Sequence, residues 1–124
     1  MSENKILYTS MSAFETRLLD ALAKRSKNSL SSEGLISAAV LAPLFEKDGA
    51  PHILLTKRSD QVEHHRGEIS FPGGKLDPTD QNEEHCALRE TSEEVGVKIQ
   101  DIRVLGRLDD FYTVATKFHV SPFV

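Results

Sequence analysis

The chain has 124 residues, 39% hydrophobic and 27% charged, with a formal net charge of -4 and one cysteine. That length suits one domain with a real core, and the composition is that of an ordinary soluble globular protein. No apolar run approaches the roughly 20 residues of a membrane helix, and the acidic balance argues against a general nucleic-acid binder, which would be basic. Cys86 alone allows no intramolecular disulfide. The opening residues lack the order of a secretory signal, and the last residues carry no peroxisomal tripeptide. Together these features point to a cytoplasmic protein. An acidic chain binds phosphates only through a metal or a local basic patch.

Residues 1–10 are polar and peripheral. Ser12 and Glu15 form a capping-box pattern, and Phe14, Leu18, Ala21 and Leu22 recur at helical spacing, which predicts a helix over 12–25. A polar linker follows from Ser26 to Gly34. Ile36 to Phe45 is apolar and predicts a buried strand. Lys47-Asp48-Gly49-Ala50-Pro51 predicts a turn, and His52 to Arg58 a second strand, the hairpin partner of the first. A polar loop over 59–70 and a turn at Phe71-Pro72-Gly73-Gly74 lead into a helix over 81–94, which stops at Gly96. Strands over 102–108 and 117–124 complete the order α, β, β, α, β, β, an α/β domain with a mixed sheet.

The second helix carries the chemistry. Asp80 is placed to N-cap it, with Glu83 completing a capping box, and Gly96 suits the left-handed C-terminal position. At about 100° per residue, Glu90, Glu93 and Glu94 share one arc, while Leu88, Thr91 and Val95 lie well round from it and can face the core. A Glu-rich face is by itself an ordinary solvated surface. Three crowded carboxylates do repel, however, by about 4 kcal/mol per pair at 4 Å and an effective dielectric near 20. A divalent cation removes that repulsion, and hard oxygen ligands select Mg2+, Mn2+ or Ca2+ over zinc. Arg89 precedes Glu93 by four residues and can also reach Glu90, so it can fix the orientation of both.

These residues resemble the Nudix box: a glycine, five residues, an acidic residue, seven residues, then R-E-U-x-E-E-x-G-U, with U a bulky aliphatic. Here Gly74 is followed by five residues and Asp80, and Arg89-Glu90-Thr91-Ser92-Glu93-Glu94-Val95-Gly96-Val97 forms the second half. Asp80 stands for the usual Glu, eight residues separate it from Arg89, and Thr91 replaces the aliphatic. The first two departures are shared by the coenzyme A pyrophosphatase branch. That branch carries a pattern like L-L-T-x-R-S-x-x-x-R-x-x-x-G-x-x-x-F-P-G-G before its box. The chain matches it at Leu54-Leu55-Thr56-Lys57-Arg58-Ser59, Gly67 and Phe71-Pro72-Gly73-Gly74, but has Glu63 where the branch has arginine.

The resemblance implies a mixed sheet sandwiched between helices and a division into an N-terminal helix and linker (1–34) and a Nudix hydrolase domain (35–124). Domains of this branch continue further, so the domain reads as truncated at its C-terminus. The resemblance also implies an enzyme that uses Mg2+ or Mn2+ to split coenzyme A or acyl-coenzyme A into 3′,5′-ADP and a phosphopantetheine. Glu90 and Glu94 would bind metal, with Glu93 a further ligand or an aid to water activation, and the Gly74 carbonyl would join them. Glu93 and Glu90 are both candidates for the general base. Gly73 and Gly74 let backbone approach metal or phosphate closely. Arg58 and Arg66 are candidates for the substrate phosphates. The implied partner is a small-molecule nucleotide, with neither nucleic acid nor membrane, and the branch includes homodimers. Other Nudix activities, on ADP-ribose, NADH or a nucleoside triphosphate, stay open because of Glu63, as does a non-catalytic nucleotide-binding module. Adjacent His64 and His65 do not form a helical zinc pair, Cys86 reads as a packing residue, and Phe111-Tyr112 reads as a surface turn.

Overall fold

The computed structural model describes residues 11–57, 67–113 and 116–124. Its centre is strand β1 (Ile36–Leu41). β1 pairs antiparallel with the short β6 (Gly73–Lys75) on one side and parallel with β8 (Phe118–Phe123) on the other, and β7 (Phe111–Tyr112) lies antiparallel beyond β8. The sheet is therefore mixed, in the order β6-β1-β8-β7. A central strand covered on both faces needs a continuous apolar run rather than alternation, as Ala38 to Leu41 supplies.

Helix α2 (Glu83–Val95) covers one face. Cys86 and Ala87 meet Ala39, Leu41 and Phe123 there, all nearly inaccessible to water. Small residues on both sides let helix and strand approach closely. Burying Leu41 there contributes roughly 1.5–3 kcal/mol. Helix α1 (Met11–Lys24) covers the opposite face, where Phe14, Leu18 and Leu22 share a cavity of about 340 Å³ with Val40, Ala42 and Pro122. Gly106 is what lets α1 sit so low: a Cβ there would fall 2.8 Å from the Leu22 Cβ. The predicted mixed sheet between helices is thus observed.

Several local expectations are corrected. The predicted strand from Ile36 to Phe45 is divided at Ala42-Pro43, because proline offers no N–H to continue a ladder. The hairpin partner of β3 (Ala50–Ile53) is consequently β2 (Leu44–Lys47), not β1. Asp48 and Gly49, at φ 53° and 76°, form the two-residue left-handed turn that matches hairpin twist. The predicted second strand breaks again after Ile53. β4 (Thr56–Lys57) then pairs with β5 (Ile69–Ser70), inside what read as a loop. Gly73 and Gly74 lie in strand β6 rather than a turn. The stretch 102–108 is not a strand. A 3-10 turn, Ile99–Asp101, precedes it, and its contact with β8 is a single bridge, Arg107 to Phe123, flanked by backbone bonds to Pro122 and Val124.

The linker read as merely polar is strapped to the domain. Asp109 accepts hydrogen bonds from Arg25 (2.6 Å) and the Asn28 N–H (2.7 Å), Asp110 accepts from the Leu30 N–H (3.3 Å), and the Tyr112 hydroxyl donates to the Ser31 carbonyl (2.7 Å). Phe111-Tyr112 is accordingly an edge strand, not a turn. Among the described residues, no helix is long and apolar enough to cross a membrane.

Candidate functional site

Helix α2 begins and ends on specific residues. Asn82, in extended backbone, accepts the His85 N–H at 2.8 Å and is the N-cap. Asp80 is not the cap: its side chain is wholly shielded from solvent and turned to Arg89. Arg89 donates Nε to Asp80 Oδ1 at 2.8 Å and Nη2 to Oδ2 at 2.9 Å, a bidentate pairing stronger than a single cap bond. The Asp77 N–H adds a third bond to Asp80 at 2.8 Å. The guanidinium bonds hold the Asp80 carboxyl well below the usual carboxylate range, against the opposing effect of burial. The same pairing pushes the Arg89 guanidinium still further toward its charged form. At the other end, Gly96 adopts φ 77° and donates its N–H to the Ser92 carbonyl at 2.9 Å, the C-cap expected of it.

Anchored on one edge by Asp80, Arg89 presents its remaining nitrogen to the box glutamates. Nη1 donates to Glu90 Oε1 at 3.0 Å and to both Glu93 oxygens at 3.2 and 3.3 Å, while Nη2 reaches the Lys75 carbonyl at 3.4 Å. The expected orienting role of Arg89 thus has a geometric basis. Glu90 lies against β6: a Cβ on Gly74 would meet its carboxyl carbon at 2.7 Å and its oxygens at 2.8 and 2.9 Å. Only glycine leaves the Gly74 backbone and the Glu90 carboxylate side by side. Glu94, exposed, follows one helical turn after Glu90.

Oxygen donors from Glu90, Glu93, Glu94 and the Gly74 backbone form a hard set, and the glycine cradle keeps two of them adjacent, so the donors fit a cation such as Mg2+ or Mn2+. Among the described residues, no three Asp, Glu, His or Cys side chains already converge as a cation cluster. Arg89 draws Glu90 and Glu93 to itself instead.

Gly73 has a packing reason of its own. It pairs with Val40, and a Cβ would run into the Ala39 carbonyl and the Val40 side chain. Arg58 and Arg66, the expected phosphate ligands, lie outside the described residues, as do Glu63, His64 and His65. Cys86 is buried, and its Sγ donates to the Gly74 and Lys75 carbonyls at 3.5 and 3.4 Å. Burial pushes its thiol up to about 11, so it stays protonated and packs rather than attacks. Thr91, the polar departure in the box, is buried and returns its hydroxyl to the Ala87 carbonyl at 2.7 Å, which satisfies it in an apolar position.

Sequence reasoning missed two features. The Asp80–Arg89 pair crosses the helix start, outside the spacings that helical periodicity reports. The second is a buried polar group in which Asp110 accepts from Arg107 (3.1 Å) and lies 3.2 Å from His119 Nε2, while Arg107 also donates to Ser121 (2.8 Å). Its only signal was the period-two placement of His119 and Ser121 on β8.

Over 93 residues the chain is 42% identical to Nudix hydrolase 3 of Caenorhabditis elegans, covering 75% of this chain and 38% of that protein. It is 49% identical over 77 residues to the mitochondrial coenzyme A diphosphatase NUDT8 of Homo sapiens, covering 61% of this chain and 33% of the relative. The chain therefore spans well under half the length of these curated relatives. The crystal structure of a C. elegans Ap4A hydrolase superimposes with TM-score 0.56 over 72% of this chain and 65% of that one; at 22% identity this likeness shows the fold alone. The model of the NUDIX domain matches residues 35–123, and the chain belongs to that family.

Proposed function

We propose that the chain is a metal-dependent pyrophosphohydrolase that cleaves a P–O–P linkage in a nucleoside diphosphate derivative. The observation that carries this reading is the Glu90 carboxylate held between Arg89 and the bare Gly74 backbone. Glu90, Glu94 and the Gly74 carbonyl would hold the cation, with Glu93 beside them. When bound, Mg2+ or Mn2+ supplies charge neutralisation at the phosphate oxygens and acidifies water.

The chain's own residues supply positioning. Arg89 fixes both carboxylates, and buried Asp80 fixes Arg89. Of the two candidate bases, Glu93 suits the role better. Its side chain is 58% exposed and open to an incoming substrate, whereas that of Glu90 is 21% exposed and pressed against β6. Glu93 would take the proton of the attacking water as the new P–O bond forms and the bridging P–O bond breaks, leaving two phosphomonoesters. Arg58 and Arg66 remain our choice for the substrate phosphates.

Coenzyme A is the substrate we favour, with 3′,5′-ADP and phosphopantetheine as products. The sequence pattern up to Phe71-Pro72-Gly73-Gly74 and the likeness to the mitochondrial coenzyme A diphosphatases NUDT8 support it. Glu63, an acid where the branch pattern has arginine, favours a second reading within the same chemistry, namely ADP-ribose, NADH or a nucleoside triphosphate. Incubating each compound with the purified chain and Mg2+ or Mn2+, beside Glu94→Gln, separates them. Release of 3′,5′-ADP from coenzyme A alone upholds the first reading, and faster turnover of another compound replaces it.

A further inference from the structure

The Asp80 carboxylate has a fourth neighbour besides the two Arg89 nitrogens and the Asp77 N–H. His85 Nδ1 lies 3.1 Å from Oδ1, the oxygen that also accepts Arg89 Nε at 2.8 Å. Oδ2 accepts Arg89 Nη2 at 2.9 Å and the Asp77 N–H at 2.8 Å. Each oxygen therefore has two partners, the full capacity of an ionised carboxylate. His85 and Arg89, one helical turn apart on α2, share a single oxygen.

The same ring nitrogen has another neighbour that asks the opposite of it. The Gln81 N–H reaches His85 Nδ1 at 3.4 Å, a contact that needs a lone pair there, whereas Asp80 Oδ1 needs a proton there. A neutral ring makes one or the other according to its tautomer. A protonated ring donates from both nitrogens and keeps only Asp80. The ring is held at this junction because the His85 N–H is bound by the Asn82 cap at 2.8 Å. Its side chain is 37% exposed, so protons reach it from solvent. Among the described residues, Asp80 from the loop before α2 and Arg89 from the next turn are the charged groups against the ring. The Asp77 carboxylate is turned to Thr79, and the Cys86 thiol stays protonated.

Resting on the reading of Glu90 and its neighbours as cation ligands, we propose that His85 is a positioning residue that tunes this site through Asp80 and Arg89, and that its protonation lowers the affinity of the site for its cation. Asp80 carries one negative charge. Beside a neutral ring it answers the Arg89 guanidinium alone. Beside a protonated ring it is divided between two cations. Arg89 is then less fully neutralised, and its Nη1 already lies 3.0 Å from Glu90 and 3.2 Å from Glu93. Its charge competes more strongly with Mg2+ or Mn2+ for those carboxylates. Histidine gains its proton between about pH 8 and pH 5, above the range in which ordinary carboxylates do.

The test is calorimetric titration of the purified chain with Mn2+ at pH 8 and pH 6, in the wild type and in His85→Gln, whose amide can still donate to Asp80 but takes up no proton. The wild type should lose affinity between the two pH values by at least about fivefold more than the variant. Equal losses overturn the proposal. A purely structural role for His85 would lower affinity at both pH values and leave the ratio unchanged. Nitrogen NMR of the metal-free chain separates this inference from the cation reading. The Arg89 Nε–H resonance should move in step with the protonation of the His85 ring, and should lose that step in His85→Gln. If it does so in a chain that binds no Mn2+, the His85–Asp80–Arg89 coupling stands and the cation reading alone fails. An Arg89 resonance that stays still while His85 gains its proton overturns the coupling, whatever the chain binds.

Discussion

Asp80 and Arg89 meet through two parallel hydrogen bonds, 2.8 and 2.9 Å long, with the Asp80 side chain fully shielded and Arg89 turned on to Glu90 and Glu93. The pair fastens the loop before α2 to the middle of that helix and sets where two box carboxylates point. Replacing Asp80 by Asn removes the charge and one acceptor while keeping the shape. Because hydrogen bonds to charged groups contribute about 1.5–3 kcal/mol, Asp80→Asn should lower unfolding stability by on the order of 2 kcal/mol. Urea denaturation measures this, and a loss below about 0.5 kcal/mol would mean the pair is incidental.

The same pair predicts an acid dependence. The Asp80 carboxyl is depressed in the folded chain, chiefly by the Arg89 hydrogen bonds. A depressed acid contributes stability that is full above its unfolded value, about 3.9, and that is lost as pH falls through the folded value. Wild type should therefore lose more Tm between pH 5 and pH 2 than Asp80→Asn, which has no such proton to gain. Parallel curves for the two proteins would refute the assignment.

Gly74→Ala separates site from fold. The added Cβ meets the movable carboxyl end of Glu90 rather than backbone, so stability should change little. Displacing Glu90 should weaken Mn2+ binding roughly tenfold or more, as loss of an orienting contact does. Calorimetric titration with Mn2+ reads the effect, and unchanged affinity would place the cation elsewhere.

Asn82 caps α2 through the His85 N–H. Asn82→Ala should cost about 1 kcal/mol and Asn82→Asp almost nothing. Equal losses in thermal denaturation would show that Asn82 acts through some contact other than the cap.

What the sequence made legible, and what it did not, divides along physical lines. Helix α2, its Gly96 stop and the clustering of Glu90 and Glu93 about Arg89 follow from periodicity and cap chemistry, which act within a few residues. The long apolar run from Ile36 predicted a buried strand correctly, but gave no warning that Pro43 would hand the hairpin to β2. Asp80 looked like a cap because it stands before a helix. The competition was decided by Arg89, nine residues on, whose bidentate geometry only the folded chain displays. The strap from Arg25 to Ser31 was hidden for a similar reason, since Asp109, Asp110 and Tyr112 recognise backbone groups about eighty residues away. Gly74 stood in the motif from the start, yet the need for glycine there appears only when Glu90 is seen against it.

Metal binding and proton transfer should separate in the glutamates. Glu90→Gln should weaken Mn2+ binding more than it slows turnover at saturating metal. Glu93→Gln should slow turnover by about 10² to 10⁴ with metal affinity nearly kept. The reverse pattern would exchange their roles.

The most direct test of the central claim is hydrolysis of coenzyme A by the purified chain with Mg2+ or Mn2+, products separated by chromatography, with metal-free and Glu94→Gln controls. Appearance of 3′,5′-ADP, abolished by either control, is the predicted result. A folded protein that shows no metal-dependent cleavage of coenzyme A, ADP-ribose, NADH or any nucleoside triphosphate would contradict it.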